Sequence, residues 1–336
     1  MAIALDSIPR FSASAALALA HREYGIAGEI SVLPSERDQN FLIHDAARGK
    51  IVLKIANRDD SPELLDFQHQ AMRRAGVVVA CRIQEIVPTR SGADIGTIAG
   101  AAGVRYCFRA LTWIEGTILG DEAVRGAALL ESLGACVAQL DLALRDFTHP
   151  AMHRRLQWDL RHADLARDKT ALLGQPRREW AENTFEEWEQ IDWPQLRTSV
   201  IHGDVNDYNV LVDRGRVSGL LDFGDMVHSA VVCDLAVTLA YAVLRQADPL
   251  AAAACVIRGY HRVNPLTESE QRALMPLMRA RLAVSLCYSA HNRARNPGDA
   301  YQTVSEAAVL ELVDRLESRE AALDMVRAVC AAAPRS

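Results

Sequence analysis

Apolar residues recur along this chain with two periods, and the change from one to the other predicts the architecture. Residues 14–24 read as an opening helix, capped by Ser12 or Ser14 and stopped near Gly25. Short apolar runs at 28–33, 40–45 and 50–56 then read as strands, with the polar stretch 34–39 between the first two. A helix over 61–75 opens on Ser-Pro-Glu, and strands around 80–87 and 104–111 follow, joined by a Gly/Ala-rich turn. Beyond that point the rhythm becomes helical, over 121–144, 158–173, 177–190, 231–244, 249–264, 268–292 and 304–332. Leu129, Leu133, Val137 and Leu140 keep helical spacing and read as core. One stretch interrupts the helices. Residues 199–225 form two apolar runs around the turn Asp213-Arg214-Gly215-Arg216, a hairpin pattern. The expectation is an α+β protein with a small antiparallel-sheet lobe (1–110), a joining segment (111–117) and a larger, mainly helical lobe (118–336).

The hairpin carries the chemistry. Asn209 starts one of its strands and Asp222 ends the other, so antiparallel pairing brings both to one edge, beside Asp204. Phosphoryl transfer uses such a set: an Asp accepts the proton of the attacking hydroxyl, while an Asn and a second Asp hold Mg2+ on the nucleotide phosphates. Protein kinases space the base and the Asn five residues apart and follow them with Asp-Phe-Gly. Asp204 and Asn209 keep that spacing, and Asp222-Phe223-Gly224 is literal. A hairpin with merely polar ends would not bring all of these into their strand contexts at once.

Lys54 lies inside the apolar run Ile51-Val52-Leu53-Lys54-Ile55-Ala56, where a lysine costs free energy unless it is paired or snorkels to the sheet edge. The chain has only three lysines, so a lysine here is not an arbitrary surface charge. A phosphate-holding lysine on the third strand is the kinase pattern.

Composition narrows the class without naming a reaction. At 336 residues the chain has room for two lobes, and its net charge of -6 argues against a general nucleic-acid binder. The seven cysteines are scattered without a CxxC, which points to reduced thiols in a cytoplasmic protein. The N-terminal 20 residues contain Asp6, Pro9 and Arg10 and lack a basic start, so they do not read as a signal peptide. No stretch reads as a membrane span, no repeat is visible, and the oligomeric state is not legible.

The His202-Gly203-Asp204-x-x-x-x-Asn209 form, with Gly where protein kinases have Arg, resembles the aminoglycoside phosphotransferase and choline kinase superfamily. The resemblance covers nearly the whole chain. It implies a bilobal, protein-kinase-like fold that phosphorylates small molecules with ATP or GTP and Mg2+. Leu33-Pro34-Ser35, Asp38-Gln39-Asn40-Phe41, Leu111-Thr112-Trp113 and His202-Gly203-Asp204-x-Asn206 look most like hydroxylysine kinases and their bacterial relatives. By the same resemblance Asp204 is the base, and Asp66 orients Lys54, with Glu63 as the other candidate. Ser35, with Arg37, meets phosphate oxygens from a loop that lacks glycine. Backbone groups at Leu111 to Trp113 read the nucleotide base, and His202 and Asp234 brace the catalytic loop. A small amino-alcohol substrate would want carboxylates and an aromatic face, for which Asp159, Asp207 and Trp158 stand as candidates. The late cluster His291, Asn292, Arg293 and Arg295 offers arginines for a substrate carboxylate.

Overall fold

The computed structural model describes residues 8–100, 103–295, 306–313, 315 and 319–332. The expectations for residues 1–7 and for the start of the last helix at 304–305 therefore lie outside the described residues. The described residues up to Gly76, together with Ile83–Glu115, form one compact unit. Val77–Arg82 and the residues from Gly116 onward form the other.

The first unit opens with α1 (Ala13–Tyr24), whose Ser12 side chain accepts the Ala15 N–H at 3.1 Å and whose end turns on Gly25 at φ 70°. Strands β1 (Glu29–Leu33), β2 (Gln39–Asp45) and β3 (Gly49–Ile55) follow as an antiparallel meander. Next come α2 (Pro62–Val78), the two-residue strand β4 (Arg82–Ile83), which belongs to the sheet of strands Val210–Asp213 and Arg216–Leu220, the two-residue strand β5 (Ile86–Val87), then β6 (Gly96–Ala99) and β7 (Arg105–Thr112). The sheet runs in the order β1-β2-β3-β7-β5, with β6 on β7. Phe41, Ile43, Leu53, Ile55 and Phe108 share its buried core with Leu19 and Tyr24 of α1. Lys54 is in register with Asn40 of β2 and Arg109 of β7, and so is central in the sheet. The helix α2 runs past Gly76 to Val78, where a loop is expected; one glycine costs a helix only about 1 kcal/mol.

The second unit begins with β8 (Thr117–Ile118) and the buried helix α3 (Ala127–Leu144). Gly126 caps α3, which shortens the helix expected from residue 121. By length and composition α3 could span a bilayer, which the sequence reading assigns to no stretch; here it is a core helix, its apolar faces covered by its neighbours. A 3-10 segment (Leu160–Leu172), kinked at His162, stands where a regular helix is expected, and α4 (Arg177–Glu189) follows. Then come β9 (Thr198–Ile201), β10 (Val210–Asp213), β11 (Arg216–Leu220) and β12 (Val227–Ala230). The hairpin pairs β10 with β11, and β8 adds to β10. The strand β12, not expected from the sequence, pairs with β9. The helices α5 (Val232–Ala242), α6 (Pro249–Val263), α7 (Glu268–Arg295), α8 (Glu306–Val313) and α9 (Arg319–Ala332) complete the unit.

The close contact of α3 and α6 depends on two glycines. A Cβ on Gly134 would stand 1.9 Å from the Val256 carbonyl oxygen, and one on Gly259 would stand 2.0 Å from that of Glu131. All seven cysteines are free thiols, six of them buried.

Candidate active site

Strand β9 delivers His202, Gly203 and Asp204 into a loop that two carboxylate oxygens hold from below. Asp234, in the first turn of α5, accepts the His202 N–H at 2.8 Å on one oxygen and the Gly203 N–H at 2.6 Å on the other. Gly203 has φ +79°, and a Cβ there would stand 2.6 Å from the Asp225 carbonyl oxygen. The glycine of the motif is therefore required by backbone shape and by space. The His202 ring spans two segments: Nδ1 accepts the Asp204 N–H at 3.3 Å, while Nε2 meets the Leu221 carbonyl at 3.0 Å. That carbonyl immediately precedes Asp222. His202 thus ties the Asp204 loop to the Asp-Phe-Gly segment.

Beneath this loop Asp141 of α3 lies beside Asp234 and accepts the Tyr260 hydroxyl at 2.6 Å. Burial, reinforced by the charge of Asp234, pushes the Asp141 carboxyl well above its ordinary range.

The hairpin sets the three polar residues at one edge. Leu221 donates its N–H to the Asn209 carbonyl at 2.9 Å, so Asp222 follows directly opposite the start of β10. Asn209 Nδ2 donates to Asp204 Oδ2 at 3.0 Å and to the Asp204 carbonyl at 2.9 Å, which leaves its amide oxygen on the other side. Asn206 Nδ2 also donates to Asp204 Oδ2, at 2.9 Å. Asp222 is exposed and sits at φ 54°, ψ 79°, with Oδ1 accepting the Gly224 N–H at 3.1 Å. A non-glycine residue in that conformation is strained, as functional segments often are. Burial pushes the Asp204 carboxyl above its ordinary value, with Asp225 adding to the rise and Arg281 and His202 opposing it.

Magnesium takes hard oxygen ligands, and one amide oxygen with one carboxylate is a fitting protein share when phosphate oxygens complete the shell. Among the described residues no group of three or more His, Cys, Asp or Glu stands ready to hold a metal by itself.

In the first unit Lys54 is buried, with Nζ 3.7 Å from Asp38 Oδ2. Asp38 is held by its own surroundings: its N–H donates to Ser35 Oγ at 3.2 Å, and its Oδ1 accepts the Asn57 N–H at 3.1 Å. Sequence reasoning misses Asp38 as a neighbour of Lys54. Asp66, on α2, accepts a bond from Gln70 at 2.6 Å, and Glu63 is an exposed residue of the first turn.

Several expected contacts have other partners. Asp207 is buried, with Oδ2 3.2 Å from Arg125 and 3.9 Å from Arg245. Asp159 is buried, with Oδ1 accepting from the Ser229 hydroxyl at 2.7 Å and the Arg161 N–H at 3.0 Å, a brace for the 3-10 segment. The Trp158 ring centre lies 4.6 Å from the Arg281 guanidinium and 5.1 Å from the Tyr288 ring centre. Arg293 of the late cluster pairs with Glu306. At 111–113 the Thr112 N–H donates to Glu85 at 2.9 Å and the Trp113 N–H to Lys50 at 3.3 Å. Leu111 is in register with Val52 on one side and Ile86 on the other. The N–H groups of Thr112 and Trp113 are thus taken up by neighbouring segments.

One functional neighbour escapes the sequence reading. Arg281 of α7 is buried and donates from Nη2 to Asp204 Oδ1 at 2.6 Å. Its signal was available: an arginine flanked by Ala280, Leu282, Ala283 and Val284 raises the same question as Lys54 in its strand.

Residues 29–266 match the phosphotransferase enzyme family. The chain belongs to that family. A hydroxylysine kinase of Mus musculus is 33% identical over 318 residues, covering 84% of this chain and 83% of the relative. A homoserine kinase of Zymomonas mobilis is 27% identical over 274 residues, covering 78% of this chain and 80% of the relative. Among solved structures, an amicoumacin kinase in complex with AMP-PNP, Ca2+ and Ami superposes with a TM-score of 0.69 at 15% identity, covering 91% and 94% of the two chains. A microcompartment-associated aminopropanol kinase gives a TM-score of 0.63 at 19% identity, with 95% of each chain covered. The fold of this family member is kinase-like, and the chain is a small-molecule phosphotransferase with an alcohol group as acceptor.

Proposed function

We propose that this chain transfers the terminal phosphate of ATP or GTP to a hydroxyl of hydroxylysine or a closely related amino alcohol. The observation that carries the acceptor is the 33% identity to a hydroxylysine kinase over 84% of the chain. The arrangement around Asp204 supports the chemistry. Asp204 accepts the proton of the acceptor hydroxyl, and its amide neighbours Asn206 and Asn209 keep the carboxylate aimed. Asn209 and Asp222 would hold Mg2+, which neutralises charge on the phosphate oxygens when bound. Lys54 supplies a cation for phosphate oxygens in the first unit, with Ser35 in the neighbouring loop. His202 and Asp234 keep the loop in shape. A cytoplasmic setting fits the seven free thiols.

The homoserine kinase relatives favour a second acceptor of the same class, homoserine. The test is a panel of 5-hydroxylysine, homoserine, choline, ethanolamine and an aminoglycoside, each with ATP and with GTP. Turnover on 5-hydroxylysine well above the others is expected, and preference for another acceptor would overturn that part of the proposal. Asp204→Asn should bind the magnesium nucleotide as wild type does in calorimetry, with turnover down by roughly 10² to 10⁴. Tight nucleotide binding without transfer to any acceptor, even by wild type, would make the chain a nucleotide-binding pseudokinase instead.

A further inference from the structure

We infer that Arg281 is a positioning residue of the transfer step: from α7 it fixes the Asp204 carboxylate so that Oδ1 receives the acceptor hydroxyl. The inference rests on the reading of Asp204 as the base.

The two oxygens of Asp204 are unequally engaged. Oδ2 accepts two N–H bonds, from Asn206 at 2.9 Å and Asn209 at 3.0 Å, which match its two lone pairs. Oδ1 accepts one bond, from Arg281 Nη2 at 2.6 Å, and keeps a lone pair. A hydroxyl approaching the base therefore finds its acceptor at Oδ1. The transfer balances there: the hydroxyl proton passes to Oδ1 as its oxygen bonds the terminal phosphorus. The bond from that phosphorus to the bridging oxygen breaks, and the nucleoside diphosphate leaves with the bonding pair.

Arg281 is itself fixed in every direction that matters. Nε donates to the Tyr241 hydroxyl at 3.2 Å and Nη1 to the Trp158 carbonyl at 3.2 Å. The guanidinium lies 4.6 Å from the Trp158 ring centre and 5.4 Å from that of Tyr241. Its side chain is 3% exposed, against 18% for Asp204, so the pair meets solvent only through the carboxylate. A buried ion pair is poor value as a stabiliser, because well-packed apolar residues often do as well. What a planar, forked cation adds is direction: three bonds leave it at fixed angles. Lysine carries the same charge and lacks the fork, which makes it the discriminating replacement.

The experiment compares Arg281→Lys, Tyr241→Phe and Arg281→Ala with Asp204→Asn and wild type, using ATP with 5-hydroxylysine and homoserine. Arg281→Lys should keep wild-type nucleotide affinity in calorimetry while kcat falls by about 10², the scale of a misplaced reacting group. Its acceptor KM should stay within a few-fold of wild type. Tyr241→Phe, which removes one of the three bonds and keeps the ring, should lower kcat by several-fold. Added guanidinium should restore part of the turnover of Arg281→Ala, which a purely structural residue would not permit. If Asp204→Asn loses transfer while folded Arg281→Lys stays within twofold of wild type, the inference is overturned and the base reading stands. Should Arg281→Lys fail to fold, an unchanged kcat in Tyr241→Phe overturns it. Undiminished transfer in Asp204→Asn removes the base reading and the inference with it.

Discussion

Each unit buries an ion pair that matters, and the two pairs differ in closeness. Lys54, in the sheet of the first unit, stands 3.7 Å from Asp38, outside hydrogen-bond range for that pair. Asp204, in the second unit, is gripped at 2.6 Å by Arg281 and at about 3 Å by two amides. The carboxylate opposite Lys54 comes from a loop 16 positions back in the chain, and Arg281 comes from a helix 77 positions further on. Asp38 meets Lys54 by charge rather than by a hydrogen bond between the two. A base that must face one hydroxyl gains from being over-determined, since fully satisfied polar networks rigidify.

The comparison can be broken by mutation. Asp222→Asn should have the largest effect. A metal contributes several kcal/mol of transition-state stabilisation, so magnesium-dependent turnover should fall on the order of 10²-fold or more, with the melting curve intact. Wild-type turnover at ordinary magnesium would remove Asp222 from the site. Lys54→Ala comes next: kcat should fall by about 10² with little change in stability, as expected of a positioning group. A change in thermal stability alone would mean that Lys54 only snorkels, and the contrast between the two charges would collapse.

Gly203→Ala sharpens the other side. The new methyl must displace the Asp225 carbonyl and adopt a positive φ, which costs roughly 1–3 kcal/mol. Denaturant melts should show that loss, and kcat should fall with it because Asp204 is the next residue. Asp38→Asn should have the smallest effect, a change of less than about tenfold in nucleotide affinity, since one charge at that distance is a modest term. A collapse of turnover in Asp38→Asn would show that Lys54 is held as tightly as Asp204 is.

What the sequence made legible follows from distance along the chain. Asp204, Asn209 and Asp222 fall within one hairpin, so strand period and turn residues were enough to bring them to one edge. Lys54 stood out because a lysine in an apolar strand is costly wherever it occurs. For Asp159, Asp207 and Trp158, candidates for substrate contacts by sequence, the partners are remote. Ser229, Arg125 and Arg281 lie 70, 82 and 123 positions away in the chain, and no local pattern announces them. The strand β12 was missed because Val227-His228-Ser229-Ala230 is short and only half apolar, and its pairing with β9 decides it. The helix α2 outran its glycine because burial of Ala71, Met72 and Ala75 outweighs a local preference.

The carboxylates stacked beneath the catalytic loop tie the stability of the fold to pH. Asp141 sits buried beside Asp234, and burial first, then the charge of Asp234, pushes its carboxyl well above its ordinary range. Because the folded value is raised, stability is fullest near and below the ordinary carboxyl range as far as this pair is concerned, and declines as pH climbs through the raised value. Denaturant stability measured across pH should fall as pH rises through the raised value, and Asp141→Asn should flatten that part of the profile.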